Sequence, residues 1–184
     1  MKKKILILTL AFGSFATLQA QRYFTKDGKI AFTSHAPMEK IEAVANTASS
    51  VLDAESGKIE FAVLIKSFQF EKALMQEHFN ENYMESSKYP KSVFKGQITE
   101  PGKIKFEKDG TYTAKINGDL TIHGVTKPVS TDAKFVVKNG EISAQSSLKV
   151  LVADYEIDIP AVVRDNIAKE VNIEIKVDYQ LLKS

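Results

Sequence analysis

Apolar and polar residues alternate along most of this chain. Alternation with a period of two is typical of antiparallel strands that bury one face and leave the other in water. The clearest alternating runs cover residues 58–65, 112–123, 129–137, 141–152 and 171–181. Weaker runs cover residues 29–35, 41–53 and 92–99. The pattern therefore predicts about eight strands.

Glycine-containing pairs separate these runs and predict turns, because glycine adopts the positive φ that tight turns require. Asn139-Gly140 lies between two alternating runs and is the clearest hairpin signal. The predicted turns are Asp27-Gly28, Ser56-Gly57, Pro101-Gly102, Asp109-Gly110, His123-Gly124 and Asn139-Gly140.

One segment, residues 67–86, departs from the strand pattern. It contains no glycine or proline and is rich in helix-forming residues. Its apolar residues recur at roughly helical spacing, which predicts one helix or two short ones. These residues are Phe68, Leu74, Met75, Phe79 and Met84.

About eight strands with one apolar face fit either a sandwich or a closed barrel. Closure favours the barrel because it leaves no exposed strand edge. An eight-stranded barrel has room for its own side chains or for one small ligand. Small inward-facing residues leave space, but the aromatic residues of the same faces can fill it, so the pattern leaves a hollow and a solid barrel open. The small residues are Ala43, Ala45, Ala114, Gly118, Ala133, Ala144 and Ser146.

Residues 1–20 have the layout of a secretory signal peptide, with three lysines, a short apolar run and Ala20 at the expected cut. The apolar run is shorter than the roughly 20 residues that span a bilayer. We expect residues 1–20 to be removed and residues 21–184 to form one domain in the periplasm or outside the cell; the alternative is an N-terminal helix of the fold. The chain has no cysteine, which excludes a thioether-linked lipid anchor and disulfides.

Loss of the signal peptide changes the charge balance. The chain has 25 basic and 23 acidic residues, and without Lys2, Lys3 and Lys4 it has 22 basic residues against 23 acidic ones. The net charge is then near −1, and no clustered basic face remains for nucleic acid. We therefore expect no nucleic-acid partner.

Candidate catalytic and metal-binding residues are few. The three histidines, His35, His78 and His123, do not lie at the spacing of metal ligands, so we expect no metal site. No serine lies in a nucleophile motif, and neither a phosphate-binding loop nor a redox-cofactor motif is present. The acidic residues near Asp154 are typical of a solvated loop. We therefore predict a protein that is not an enzyme and has no cofactor, in which His123 and Gly124 have a structural role at a hairpin.

Three segments resemble the YceI-like family of secreted lipid-binding domains. GDLTIHGVTKPV (118–129) is similar to the signature hairpin of that family. EHFNENYMESSKYPKSVFKG (77–96) resembles its helix-to-strand segment, with His78-Phe79, Tyr89-Pro90 and Phe94 at matching places. DYEI (154–157) and IAKEVNIEI (167–175) resemble its closing loop and last strand.

The resemblance implies a mainly β fold, an extended eight-stranded antiparallel, lipocalin-like barrel with a short helical segment near 67–86. It further implies a protein that sequesters or carries a polyisoprenoid or other long-chain, fatty-acid-like lipid, with its tail inside the barrel. The residues that we expect to contact the tail are Phe61, Val63, Tyr112, Ile116, Leu120, Phe135, Leu148, Val150, Ile173, Ile175 and Tyr179. The residues expected at the mouth or in a lid are Phe68, Phe70, Met75, His78, Phe79, Tyr83 and Met84.

Two other functions stay open on the sequence. A solid-core interaction module predicts a filled barrel, and a lipid-modifying enzyme predicts convergent polar side chains within the channel. The sequence also leaves open a transient contact with a membrane or membrane protein, and a homodimer.

Overall fold

Eight antiparallel strands form a closed barrel in the computed structural model, which describes residues 21–36, 40–161, 163 and 167–182. The first strand pairs with both the second and the last, which closes the sheet and confirms the predicted barrel. A further two-residue strand, β4, pairs with β2 beside the ring. The strands are β1 (Arg22–His35), β2 (Lys40–Asp53), β3 (Lys58–Leu64), β4 (Gln69–Phe70), β5 (Lys91–Ile98), β6 (Gly110–Ile122), β7 (Val125–Lys138), β8 (Glu141–Leu151) and β9 (Glu170–Leu181). The predicted signal peptide, residues 1–20, lies outside the described residues.

The predicted helical segment is present, but its helix is short. Helix α1 (Ala73–His78) continues into a π-helical turn at Phe79–Tyr83. Shorter 3₁₀ turns lie at Ile65–Ser67, Pro101–Lys103 and Val152–Tyr155. The helix and the first and last of these turns lie at the end of the barrel where β3 and β8 finish.

Two tight hairpins confirm the turn predictions on either side of β7. His123-Gly124 joins β6 to β7 with φ angles of 51° and 77°. Asn139-Gly140 joins β7 to β8 with φ angles of 52° and 81°. Positive φ at both central residues matches the twist of the flanking strands, which is why such pairs connect hairpins.

The turn predicted at Asp27-Gly28 is wrong, because both residues lie within β1. The pairing of β1 with β2 shifts at Gly28, and Lys26 and Asp27 both face outward, as in a β-bulge. A Cβ at Gly28 would lie 2.9 Å from both Ala48 O and Val177 Cγ1. The glycine therefore permits a close approach of strands rather than a change of direction.

The shift in the pairing of β1 with β2 also changes which residues of these strands face inward. On β1 the buried positions change from Tyr23 and Thr25 to Gly28 and Ile30. On β2, residues 46 and 47 both face outward, and the buried positions change there too. Because a one-residue shift exchanges the two faces of a strand, the alternation of β1 and β2 is weak in the sequence although both strands are long.

The buried residues form two clusters at different heights in the barrel. The larger one closes one end and is named the floor cluster here; the smaller one lies beneath helix α1. The floor cluster consists of Tyr23, Leu52, Ile59, Ile98, Ile104, Phe106, Ile116, Ala133, Phe135, Val137, Ile142, Ala144, Val177 and Tyr179. The smaller cluster consists of Ile30, Ala43, Ala45, Ala48, Val63 and Phe68.

Candidate ligand-binding cavity

A cavity of about 350 Å³ lies inside the barrel above the floor cluster. Its volume falls near the lower end of the roughly 300–1,000 Å³ usual for small-molecule sites. Five residues of the floor cluster also line the cavity and so mark its lower boundary. They are Ile59, Ile116, Phe135, Ala144 and Val177.

Most of the residues predicted to contact a lipid tail line this cavity. They lie on β3, β6, β7, β8 and β9, so the lining surrounds the space. They are Phe61, Val63, Ile116, Leu120, Phe135, Leu148, Val150, Ile173 and Ile175.

The other two predicted contacts, Tyr112 and Tyr179, lie among the packed residues of the floor cluster. The Tyr112 hydroxyl donates to the Lys108 carbonyl at 2.9 Å. Tyr179 lies 2.8 Å from Ser50 Oγ, and Ser50 donates to the Glu60 carbonyl at 2.8 Å. Because the single Ser50 proton is used in that bond, the Tyr179 hydroxyl is the donor to Ser50. Burial raises the pKa of Tyr179, although the Ser50 hydrogen bond opposes this effect.

The lining is predominantly apolar. Within the described part of the chain, no Asp, Glu, Lys or Arg side chain belongs to it. Thr131 and Ser146 line the middle of one wall, with their hydroxyl oxygens 2.9 Å apart, and each also donates to a neighbouring backbone carbonyl. The interior therefore accepts hydrocarbon and disfavours a charged group, since burying an unpaired charge is costly.

The segment from Phe68 to Met84, named the lid here, covers one side of the cavity mouth. All seven residues predicted for this position line the cavity, including His78 and Tyr83. Within the lid, the Phe79 ring centroid lies 5.8 Å from Phe68 and 5.0 Å from Phe70. All three rings contact Phe32 of β1, with centroids 5.4–5.8 Å apart. Contacts of this geometry are favourable between aromatic rings.

The loop after β8 covers the cavity from another side. The sequence predicted a closing loop at residues 154–157 by resemblance, but named none of its residues as a ligand contact. Tyr155, Ile157 and Ile159 line the cavity, whereas Asp154, Glu156 and Asp158 are exposed. The period-two pattern of YEIDI was visible, but the acidic residues between the apolar ones suggested a wholly solvated loop. Val163 and Ile167 extend this lining further along the loop.

His123 connects the lid to this loop. Its Nε2 lies 2.9 Å from Glu85 Oε2, and its Nδ1 lies 3.2 Å from the Tyr155 carbonyl oxygen. Both partners are acceptors, so the imidazolium form, which donates from both nitrogens, satisfies both contacts. The ring also packs edge-on against Tyr89, with centroids 4.6 Å apart. At the hairpin, a Cβ at Gly124 would lie 2.5 Å from Tyr89 Cε1.

Small inward residues do not all leave empty space. Gly96 and Gly118 are cross-strand partners, and the ring of Phe94 lies over both. A Cβ at Gly118 would lie 2.7 Å from Phe94 Cζ and 2.4 Å from the Lys95 carbonyl oxygen. The two glycines thus leave room for the Phe94 ring against the sheet, where the ring forms part of the cavity lining.

Two tyrosine phenols, Tyr83 and Tyr155, lie near the mouth. Burial raises the pKa of Tyr83. Burial, and then the nearby Asp154 carboxylate, raise the pKa of Tyr155. Both phenols therefore stay protonated near neutral pH, where they offer hydrogen bonds rather than negative charge. Among the described residues, no three His, Asp or Glu side chains are grouped as metal ligands would be.

No helix within the described ranges is both long and apolar enough to cross a bilayer.

A family model described as YceI-like domain matches residues 16–179. Over 84 residues the chain is 36% identical to a UPF0312 protein of Pseudomonas fluorescens, and this match covers 45% of the chain and 41% of that protein. The match thus spans less than half the length of that curated relative.

Two solved structures share the fold at low sequence identity. One is a polyisoprenoid binding domain from Saccharophagus degradans, with a TM-score of 0.75, 14% identity, and coverage of 89% of this chain and 99% of that one. The other is Burkholderia cenocepacia BcnA, with a TM-score of 0.69, 16% identity, and coverage of 83% and 96%. At this identity the likeness establishes the barrel architecture alone.

Proposed function

Because the chain belongs to the YceI-like domain family, we propose that it is a non-enzymatic carrier of a polyisoprenoid or another long-chain amphiphile. The tail lies in the barrel cavity, and the head group lies at the mouth, beneath the lid and the loop after β8. We further propose that the carrier works in the periplasm or outside the cell, with residues 1–20 as its signal peptide.

The observation that supports this proposal best is the apolar cavity. It is surrounded by strand side chains and has no charged lining residue among those described. A hydrocarbon tail gains about 0.8 kcal/mol for each methylene that it moves out of water. The polar side chains near the entrance, such as His78, Tyr83 and Ser92, lie where a head group would lie.

Two alternatives are less well supported. A solid-core interaction module requires a filled barrel, whereas side chains enclose about 350 Å³ here. A lipid-modifying enzyme requires convergent polar groups beside the ligand. The Thr131 and Ser146 hydroxyls each donate to a backbone carbonyl, and within the described residues no nucleophile–base pair accompanies them.

A charge placed inside the cavity tests the proposal. Leu148 is a half-buried lining residue of β8, and Leu151 is an exposed residue at the end of the same strand. We expect Leu148→Glu to abolish retention of lipid, measured by native mass spectrometry and organic extraction of the protein from its own host. Leu151→Glu is the matched control and retains lipid. Equal retention by a folded Leu148→Glu variant would contradict the proposed site.

A further inference from the structure

We infer that the floor cluster limits the length of the tail that this barrel encloses to about three to four isoprene units. This inference rests on the proposed function, and it adds the size class of the ligand. Carbons beyond that length stay outside the protein and contribute little to affinity.

The floor is closed by tight packing. Phe135 lies fully buried at the bottom of the cavity, and Phe106 packs edge-on against it with ring centroids 6.1 Å apart. Tyr23 lies on the other side of Phe106, also at 6.1 Å. Ile98 and Ile142, which belong to the same cluster, are also fully buried. A tail that reaches Phe135 therefore meets several layers of side chains.

The register of the lining residues gives the depth above this floor. On β9 the lining extends from Val177 up to Val171, and on the neighbouring strand it extends from Ala144 of β8 to Val152, the residue that follows β8. These six and eight residue steps span about 20 and 27 Å at about 3.4 Å per residue. A strand tilt of roughly 35–45° reduces the axial depth to about 15–20 Å.

This depth corresponds to a short isoprenoid. An extended carbon chain with bonds of about 1.5 Å and angles of about 111° advances about 1.25 Å per carbon. The cavity thus accommodates about 12–16 carbons in a line, and each isoprene unit contributes four. The volume of about 350 Å³, small for a ligand site, favours one extended chain over a folded longer one.

Prenyl alcohols of increasing length test the limit without any substitution. Geraniol, farnesol, geranylgeraniol and a six-unit prenyl alcohol compete in pairs for the protein, and native mass spectrometry measures the ratio of the two complexes. Each added unit that is buried should raise affinity at least tenfold, given the free energy of burying its carbons. From four to six units we expect less than a threefold gain.

Two substitutions move the floor in opposite directions. Phe135→Ala deepens the cavity and should restore a gain of about tenfold from four to six units. Ala144→Phe raises the floor and should remove the gain from three to four units. Val137→Ala is the matched control, since Val137 belongs to the floor cluster but does not line the cavity. Circular dichroism establishes folding, and Phe135→Leu replaces Phe135→Ala if that variant is unfolded.

The outcomes separate this inference from the proposed function. If the affinity of the unmodified protein continues to rise tenfold per unit beyond four units, the length limit is wrong. The carrier function is not affected by that result. If affinity stops rising beyond four units in the unmodified protein, and both Phe135→Ala and Val137→Ala leave that behaviour unchanged, the floor cluster does not set the length limit. Failure of every prenyl alcohol to bind overturns the proposed function as well.

Discussion

The aromatic attachment of the lid gives the sharpest prediction. Phe79 is half-buried and packs on Phe32 of β1 and on Phe68 and Phe70, the two lid rings that contact Phe32 themselves. We expect Phe79→Ala to let the part of the lid after Phe70 open locally, while Phe68 and Phe70 keep their contacts with Phe32 and the barrel strands keep their pairing. Bound lipid then leaves faster.

The size of the effect follows from the three ring contacts. An aromatic pair is worth about 0.5–1.5 kcal/mol beyond area burial, and contacts within one cluster do not add fully. We therefore expect Phe79→Ala to destabilise the closed lid by about 2–3 kcal/mol. This change raises the population of the open lid about 30- to 150-fold.

Hydrogen exchange measures this opening directly. The Met84 N–H donates to the Phe79 carbonyl at 2.9 Å, and the Ser86 N–H donates to the Asn80 carbonyl at 2.8 Å. Exchange at both amides should accelerate by the factor above, and the release rate of bound lipid should increase with it. Leu74→Ala is the control, because Leu74 lies in the same lid, on helix α1, but is 62% exposed. Unchanged exchange at Met84 and Ser86, or an equal acceleration throughout the strands, would refute a separately opening lid.

Two further substitutions test the hydrogen-bond assignments by urea denaturation. Ser50→Ala should lower the free energy of unfolding by about 1–3 kcal/mol because it leaves the buried Tyr179 hydroxyl unpaired. Tyr179→Phe should lower it less, because Ser50 keeps its hydrogen bond to the Glu60 carbonyl. A larger loss in Tyr179→Phe would show that the assigned direction of these bonds is wrong. His123→Gln should lower stability by about 1–2 kcal/mol with little change in ligand preference, because glutamine at this positive φ does not reproduce both hydrogen bonds. His35→Gln, at an exposed position of β1, serves as its control, and an equal loss in both variants would argue against the link through His123.

The strands of the barrel could be predicted because their signal is local. In β6 through β9 each inward residue is followed by an outward one, and the pattern of β9 from Val171 to Leu181 is visible without knowledge of any partner. The bulge at Gly28 was not predictable in this way. A glycine after an aspartate has the same local signature in a turn and in a bulge, and only the pairing with β2 distinguishes them.

The cavity was harder to predict than the barrel because it depends on side chains that arrive from distant segments. Gly118 leaves a gap that Phe94 of the adjacent strand occupies. The alanines of β2, among them Ala43 and Ala45, pack in one cluster with Phe68 of the lid. Tyr179 has the same alternation as Ile173 and Ile175, yet its height on β9 places it in the floor cluster rather than the cavity. Periodicity gives the face of a strand, but the height at which a barrel is filled is a tertiary property.

The unfilled apolar cavity costs the fold stability, and this cost supports the idea that a ligand fills it. Residual cavities in protein cores destabilise by about 24 cal/mol per Å³, so about 350 Å³ of unfilled apolar space corresponds to roughly 8 kcal/mol of forgone packing, as an upper bound. That is comparable to the whole net stability of an ordinary domain, about 5–15 kcal/mol. The chain has no cysteine with which to offset it by disulfides. A sequence selected for stability alone would fill the space with a few larger side chains at inward positions such as Ala144 or Ser146, which line it now. The floor cluster and the closed strand pairing therefore stabilise the fold, while the upper half of the barrel is kept open for a molecule that supplies the missing contacts when it binds.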